Sequence, residues 1–144
     1  MRGTRLRHRL PPVVVMAAFC ALLAGGCRRK HIDGTVAVDA VLSAWGAKGF
    51  TTTEIKSIEP DAWSAGACSR GPLAELDVLM CEYAADETLV VGDGKIVKDW
   101  EQDGVATGVV VRNGRTLLAI ADTKKIDASG RTIMRLIEAF RAAR

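Results

Sequence analysis

Apolar positions fall into two periodicities along the chain, and they predict most of its elements. Val38, Val41, Leu42 and Trp45 stand at i, i+3, i+4 and i+7 behind Thr35, a candidate N-cap, and Gly46 and Gly49 follow; this spacing predicts a helix with its tryptophan in the core. Residues 50–58 hold Thr51, Thr52 and Thr53, rich in strand formers, and stop before Pro60. Residues 74–83 alternate, with Leu76, Val78 and Met80 on one face and Glu75, Asp77, Leu79 and Cys81 on the other. Residues 105–112 and 115–121 flank Asn113-Gly114, a strong hairpin signal because a type I′ turn needs positive φ at both central residues. After a polar connection over 122–129, Ile133, Leu136, Ile137 and Phe140 form the stripe of a final helix with Arg141 and Arg144 near its end.

Residues 86–102 fit two patterns. Leu89, Ile96, Val97 and Trp100 share a helical face, Asp86 and Glu87 suit its N-terminus, and Lys95 and Lys98 its later turns. Gly92 and Gly94 oppose a helix, each by about 1 kcal/mol relative to Ala. The same letters permit a hairpin turning through Gly92-Asp93-Gly94. The helix is the preferred reading. The predicted order is then α-β-β-α-β-β-α: a single α+β domain over residues 35–144, an antiparallel sheet covered by helices on one face. Between the first two strands, residues 61–72 read as a small-residue loop. It carries Trp63 and Arg70 and is the candidate partner-binding loop, because a loop aromatic has less reason to be core; the alternative is that Trp63 folds back over the sheet edge.

The amino terminus follows another pattern. Arg2, Arg5, Arg7 and Arg9 precede an uninterrupted apolar run over 13–24, which then passes through Gly25 and Gly26 to Cys27. A basic segment, a short apolar segment and a small-residue exit form a secretory signal. The run falls short of the roughly 20 residues a spanning helix needs. Leu22-Leu23-Ala24-Gly25-Gly26-Cys27 resembles the lipobox of bacterial lipoproteins, with Ala24 departing where the family prefers leucine and Leu23 one place away. The resemblance implies cleavage after residue 26, acylation of Cys27 as the new first residue, and residues 27–34 as a lipidated tether that includes His31. The anchor would hold the domain at a membrane of the bacterial envelope. Arg28, rather than Asp, directly after the cysteine implies the outer membrane over the inner. An ordinary signal peptide or uncleaved anchor, with Cys27 a bystander, is the competing reading.

The leader changes the charge picture. The first 27 residues hold four of the 20 basic residues and none of the 17 acidic ones, so the remainder balances 16 against 17 and the formal charge moves from +3 to −1. A nucleic-acid partner is not expected without surplus basic residues in the folded part. Of four cysteines, Cys20 lies in the leader and Cys27 is the lipidation candidate, leaving Cys68 and Cys81. An even pair in an exported domain is most simply a disulfide, and two free thiols are the alternative.

Candidate chemistry is sparse. His8 and His31 are the only histidines, one in the leader and one in the tether, which removes Ser-His and Cys-His catalysis and any histidine metal site from the domain. Gly92-Asp93-Gly94-Lys95 lacks the frame of a phosphate loop. Asp99, Glu101, Asp103 and Gly104 match positions 1, 3, 5 and 6 of a calcium loop, but Val110 stands where the closing glutamate belongs, so a solvated helix end is the simpler reading. No catalytic residue, metal or cofactor is assigned. The expected function is that of a non-enzymatic interaction module with an envelope protein partner; a carrier of a small apolar ligand or lipid is the alternative, and an enzyme the third.

Overall fold

The structure, a computed structural model, describes residues 31–144. Cys27 and the signal segment 1–26 lie outside the described residues. Helix α1 (Val38–Ala47) is followed by β1 (Lys56–Ile58), a 3₁₀ turn over Asp61–Trp63, and the strands β2 (Ala67–Leu73) and β3 (Leu76–Glu82). Helix α2 (Asp86–Asp103), the hairpin β4 (Gly108–Asn113) and β5 (Thr116–Ala121), and α3 (Arg131–Ala142) complete the chain. The five strands form one antiparallel sheet in the order β1-β2-β3-β5-β4, so the fold is α+β with three helices.

The sheet is covered on both faces, which corrects the expectation of helices on one face. Val78 and Met80 of β3 and Leu118 and Ile120 of β5 pack with Val41 and Trp45 of α1 and Leu136 and Phe140 of α3. The alternate residues Leu79, Cys81, Leu117 and Ala119 pack with Leu89 and Ile96 of α2. Period-two alternation separates the two sets, and β5, Thr116 to Ala121, is buried at every position because both its sides meet a helix.

A further strand appears where the loop over 61–72 was expected. β2 pairs with β3 along its whole length, from Ala67 opposite Glu82 to Leu73 opposite Leu76. Its Gly71 and Pro72 read as loop residues. They are tolerated because β1 pairs only with Cys68, Ser69 and Arg70, leaving the Pro72 end as sheet edge. A Cβ on Gly71 would stand 2.3 Å from the Glu54 carbonyl oxygen, so the glycine admits the chain that crosses beside it. That chain enters by a turn, the Ile55 N–H donating to the Thr52 carbonyl at 3.2 Å, which shortens the first strand to residues 56–58.

Residues 86–103 are a single helix, not a hairpin. Leu89, Gly92 and Ile96 form its buried line, while Val97, expected on the same face, is 42% exposed. Gly92 lies directly over Tyr83: a Cβ there would stand 2.1 Å from the tyrosine Oη. Tyr83 is fully buried, its hydroxyl has no hydrogen-bond partner among the described residues, and burial pushes its pKa up to about 12, with the nearby Asp93 charge adding to the shift.

Caps come from distant residues. The N-cap of α1 is Ala37 rather than Thr35, and the buried Glu82 of β3 accepts the Val38 N–H at 3.3 Å and the Thr35 hydroxyl at 2.9 Å. In the β4–β5 hairpin Asn113 pairs with Thr116, so the turn is Gly114-Arg115, with φ +58° at Gly114 only. The expected Asn-Gly type I′ turn is therefore replaced by one with a single left-handed residue at its first position, the type II′ pattern. Asn113 instead donates its amide to the last carbonyls of α3, Phe140 at 2.8 Å and Ala143 at 3.2 Å. Residues 31–34, expected in the tether, are attached to this turn: the Arg115 N–H donates to the Gly34 carbonyl at 2.9 Å and the Arg115 guanidinium to the Asp33 carbonyl. His31 is exposed.

Candidate functional site

The cysteine pair lies at the base of the α2 side of the sheet. Cys68 and Cys81 are direct cross-strand partners with Cα atoms 4.2 Å apart, close to the ~4.5 Å of a non-hydrogen-bonded antiparallel pair, and their sulfurs are at bonding distance, 1.97 Å. Both are buried, against Leu79, Tyr83 and α2.

Above this base, two tryptophans converge from different elements. Trp63 closes the 3₁₀ turn, whose next residue, Ser64, has φ +54°; the Ser64 hydroxyl accepts from the Lys95 ammonium at 2.9 Å, fastening the turn to α2. Trp100 sits in the last turn of α2, before Gly104 ends the helix at φ +67°. Its ring rests on β4, where a Cβ on Gly108 would stand 2.6 Å from the indole. Both indoles are half-buried and pack against the α2-side core.

Between them is a cavity of about 110 Å³. Its floor is apolar, made by the buried Leu79, Ile96 and Ala119. Its rim is charged. Arg70 pairs with Leu79 across β2 and β3 while Asp77 pairs with Pro72, so the two side chains meet on the diagonal of one sheet face. The Arg70 guanidinium donates from Nε to Asp77 Oδ1 at 3.2 Å and from Nη2 to Oδ2 at 2.5 Å, a two-pronged pair. Asp99 and Asp103, one helical turn apart on α2, complete the rim with Gln102. The hydrogen bonding of Arg70 to the Asp77 carboxylate holds the Arg70 pKa above its ordinary value against a lowering by partial burial; the charge of Asp77 and then the fields of Asp103 and Asp99 add to the rise. Neither Asp99 nor Asp103 forms an ion pair among the described residues.

Trp63 and Arg70, the two residues singled out in the sequence as the candidate partner-binding loop, thus line the same cavity, Arg70 from a strand rather than a loop. Trp63 both folds back against the core and stays half-exposed. No sequence pattern marks Trp100, Asp77, Asp99 and Asp103 as parts of one site. Asp99 and Asp103 were visible only as members of an imperfect calcium loop. In the structure Asp99 to Asp103 are helical, and no group of three or more His, Cys, Asp or Glu side chains among the described residues is placed to hold a metal.

A second, more open depression of about 420 Å³ lies beside the β2–β3 turn, lined by Thr51, Thr53, Glu54, Glu75 and Lys124 among others. The outward face of α2 exposes Val90, Val91 and Val97, at 66%, 50% and 42%. No helix of the described residues is long and apolar enough to cross a membrane. No family model, curated protein or solved structure matches the chain.

Proposed function

We propose that the protein is a lipid-anchored, non-enzymatic interaction module of the bacterial cell envelope, and that it meets a protein partner through the surface around Trp63 and Trp100. The observation that carries this reading is the convergence of two half-buried tryptophans, from separate elements, on one small cavity with an apolar floor and a charged rim. Tryptophan and arginine are enriched at interface cores, where a large rigid ring loses little entropy on contact. The cavity of about 110 Å³ is too small for a lipid or a drug-sized ligand, whose sites run to about 300–1,000 Å³. The 420 Å³ depression carries Glu54, Glu75 and Lys124 on its walls, which does not favour an apolar cargo either. Contact therefore fits better than carriage.

The location rests on the amino-terminal residues: the arginines, the apolar run and Gly25-Gly26-Cys27, with Arg28 favouring the outer membrane. A cysteine pair at bonding distance suits an exported domain. The anchor then acts through concentration, because confinement to one membrane raises the effective concentration of a partner embedded there. In cells, Cys27→Ser should release the protein from membranes and weaken partner capture while the domain keeps its circular dichroism spectrum. Trp63→Ala should leave the protein membrane-bound and folded and still lose the partner. Retention of membrane partitioning by the Cys27→Ser variant would refute the anchor, and undiminished capture by folded Trp63→Ala would refute the docking surface.

A further inference from the structure

The lining of the cavity carries more acid than base. Three carboxylates, Asp77, Asp99 and Asp103, face it against one guanidinium, Arg70. Arg70 is already engaged by Asp77 through two hydrogen bonds, 3.2 and 2.5 Å, so the residual charge of the rim is that of Asp99 and Asp103. The walls are two indoles, the aromatic side chain that binds cations best. The floor of Leu79, Ile96 and Ala119 is aliphatic and buried. An acidic rim, indole walls and an apolar floor match a long amphipathic cation, whose methylene stem takes apolar surface while its charged head stays at the mouth. The volume of about 110 Å³ is well below the roughly 300–1,000 Å³ of drug-sized ligand sites and on the scale of one side chain. The site is also held in place before any partner arrives: Trp100 is seated on Gly108, where no Cβ intervenes, and the turn bearing Trp63 is fastened to α2 by the Lys95 to Ser64 hydrogen bond. A pocket assembled in advance loses little freedom on binding.

We infer that the cavity between Trp63 and Trp100 receives a lysine or arginine side chain displayed by the partner protein. The inference rests on the docking surface proposed above and names the chemistry of its occupant. The test titrates the full chain with a short glycine-flanked lysine peptide and with the same peptide carrying Nε-acetyl-lysine, followed by tryptophan fluorescence and by the indole N–H signals in NMR. The charged peptide should bind saturably and about tenfold more tightly than the neutral one, and raising salt from about 0.05 M to about 0.5 M should weaken it severalfold. Asp99→Asn with Asp103→Asn should reduce its affinity at least about fivefold without altering the fold, because both side chains are exposed on α2. Absence of saturable binding, equal affinity for the acetylated peptide, or no loss in the double variant would overturn the inference. Those failures remain distinct from failure of the docking surface itself: a partner lost on Trp63→Ala but indifferent to Asp99 and Asp103 would keep the surface and exclude the cation.

Discussion

Two glycines in α2, two residues apart, should respond in opposite directions to the same substitution. Gly94 is exposed, and a Cβ placed on it meets nothing within 4 Å. Gly94→Ala therefore adds only helix propensity, about 1 kcal/mol in favour of the fold. Gly92→Ala adds the same propensity but drives a methyl group to 2.1 Å from Tyr83 Oη and 2.6 Å from its Cε1 and Cζ. Tyr83 is fully buried between α2 and the cysteine pair, so its ring has no open side to yield into. Overpacking of this kind costs typically 1–3 kcal/mol, and with contacts this short about 3 is the appropriate figure, leaving a net loss of about 2 kcal/mol. The two variants should thus differ by about 3 kcal/mol, a separation in melting temperature on the order of 10–20 °C for a domain of this size. Urea unfolding monitored by tryptophan fluorescence and far-ultraviolet circular dichroism measures both. If Gly92→Ala proves as stabilising as Gly94→Ala, then α2 does not lie over Tyr83 in this register. The cavity wall formed by Trp100, Asp99 and Asp103 would lose its position with it.

Further expectations concern other parts of the fold. The β2–β3 turn runs through Ala74 and Glu75 with φ +50° and +64°, conformations that side chains adopt at a cost of about 1 kcal/mol or more each, so replacing the pair by Asn-Gly should stabilise the protein by about 1–2 kcal/mol in urea titration; a neutral result would contradict the turn geometry. The Asp127 carboxylate is held below its ordinary range, first by the Ile133 N–H at 2.9 Å and also by Thr132, Ser129 and Arg131. Its stabilisation is therefore complete above the ordinary value near pH 4 and disappears as pH falls through the depressed one, so Asp127→Asn should be less stable at neutral pH and lose less on acidification below about pH 4 than the parent. Reducing the Cys68–Cys81 pair, whose sequence separation is 13, should cost about 3 kcal/mol in the chain-entropy model; an unchanged unfolding midpoint with and without reductant would exclude the bond.

What could be read in the sequence followed from local periodicity. α1 and α3 show their apolar stripes, and the β4–β5 hairpin announces itself at residues 113–114 even though its turn is displaced by one residue, because Asn113 is drawn to the end of α3. β2 was illegible because Gly66, Gly71 and Pro72 carry loop signals, and its pairing with β3 is a long-range fact. Gly92 weakened the case for α2 for a tertiary reason, the tyrosine beneath it, which no helix propensity encodes. The second helical layer did leave a trace: residues 117–121 are continuously apolar, the pattern of a strand buried on both faces rather than one. For the site, Trp63 and Arg70 could be named individually. Their meeting with Asp77 depends on strand register, and with Trp100, Asp99 and Asp103 on how α2 docks.

The proposed function requires that the Trp63–Trp100 surface meet a partner at the membrane. Ala62, exposed and adjacent to Trp63, takes a photo-crosslinking amino acid in the full-length chain, and Met134, 51% exposed on α3 beyond the opposite face of the sheet, serves as the control position. Irradiation of intact cells should give a discrete adduct with an envelope protein from position 62, none from position 134, and loss of that adduct in the Cys27→Ser background. Absence of any adduct from position 62, or the same adduct from both positions, would contradict the proposed function.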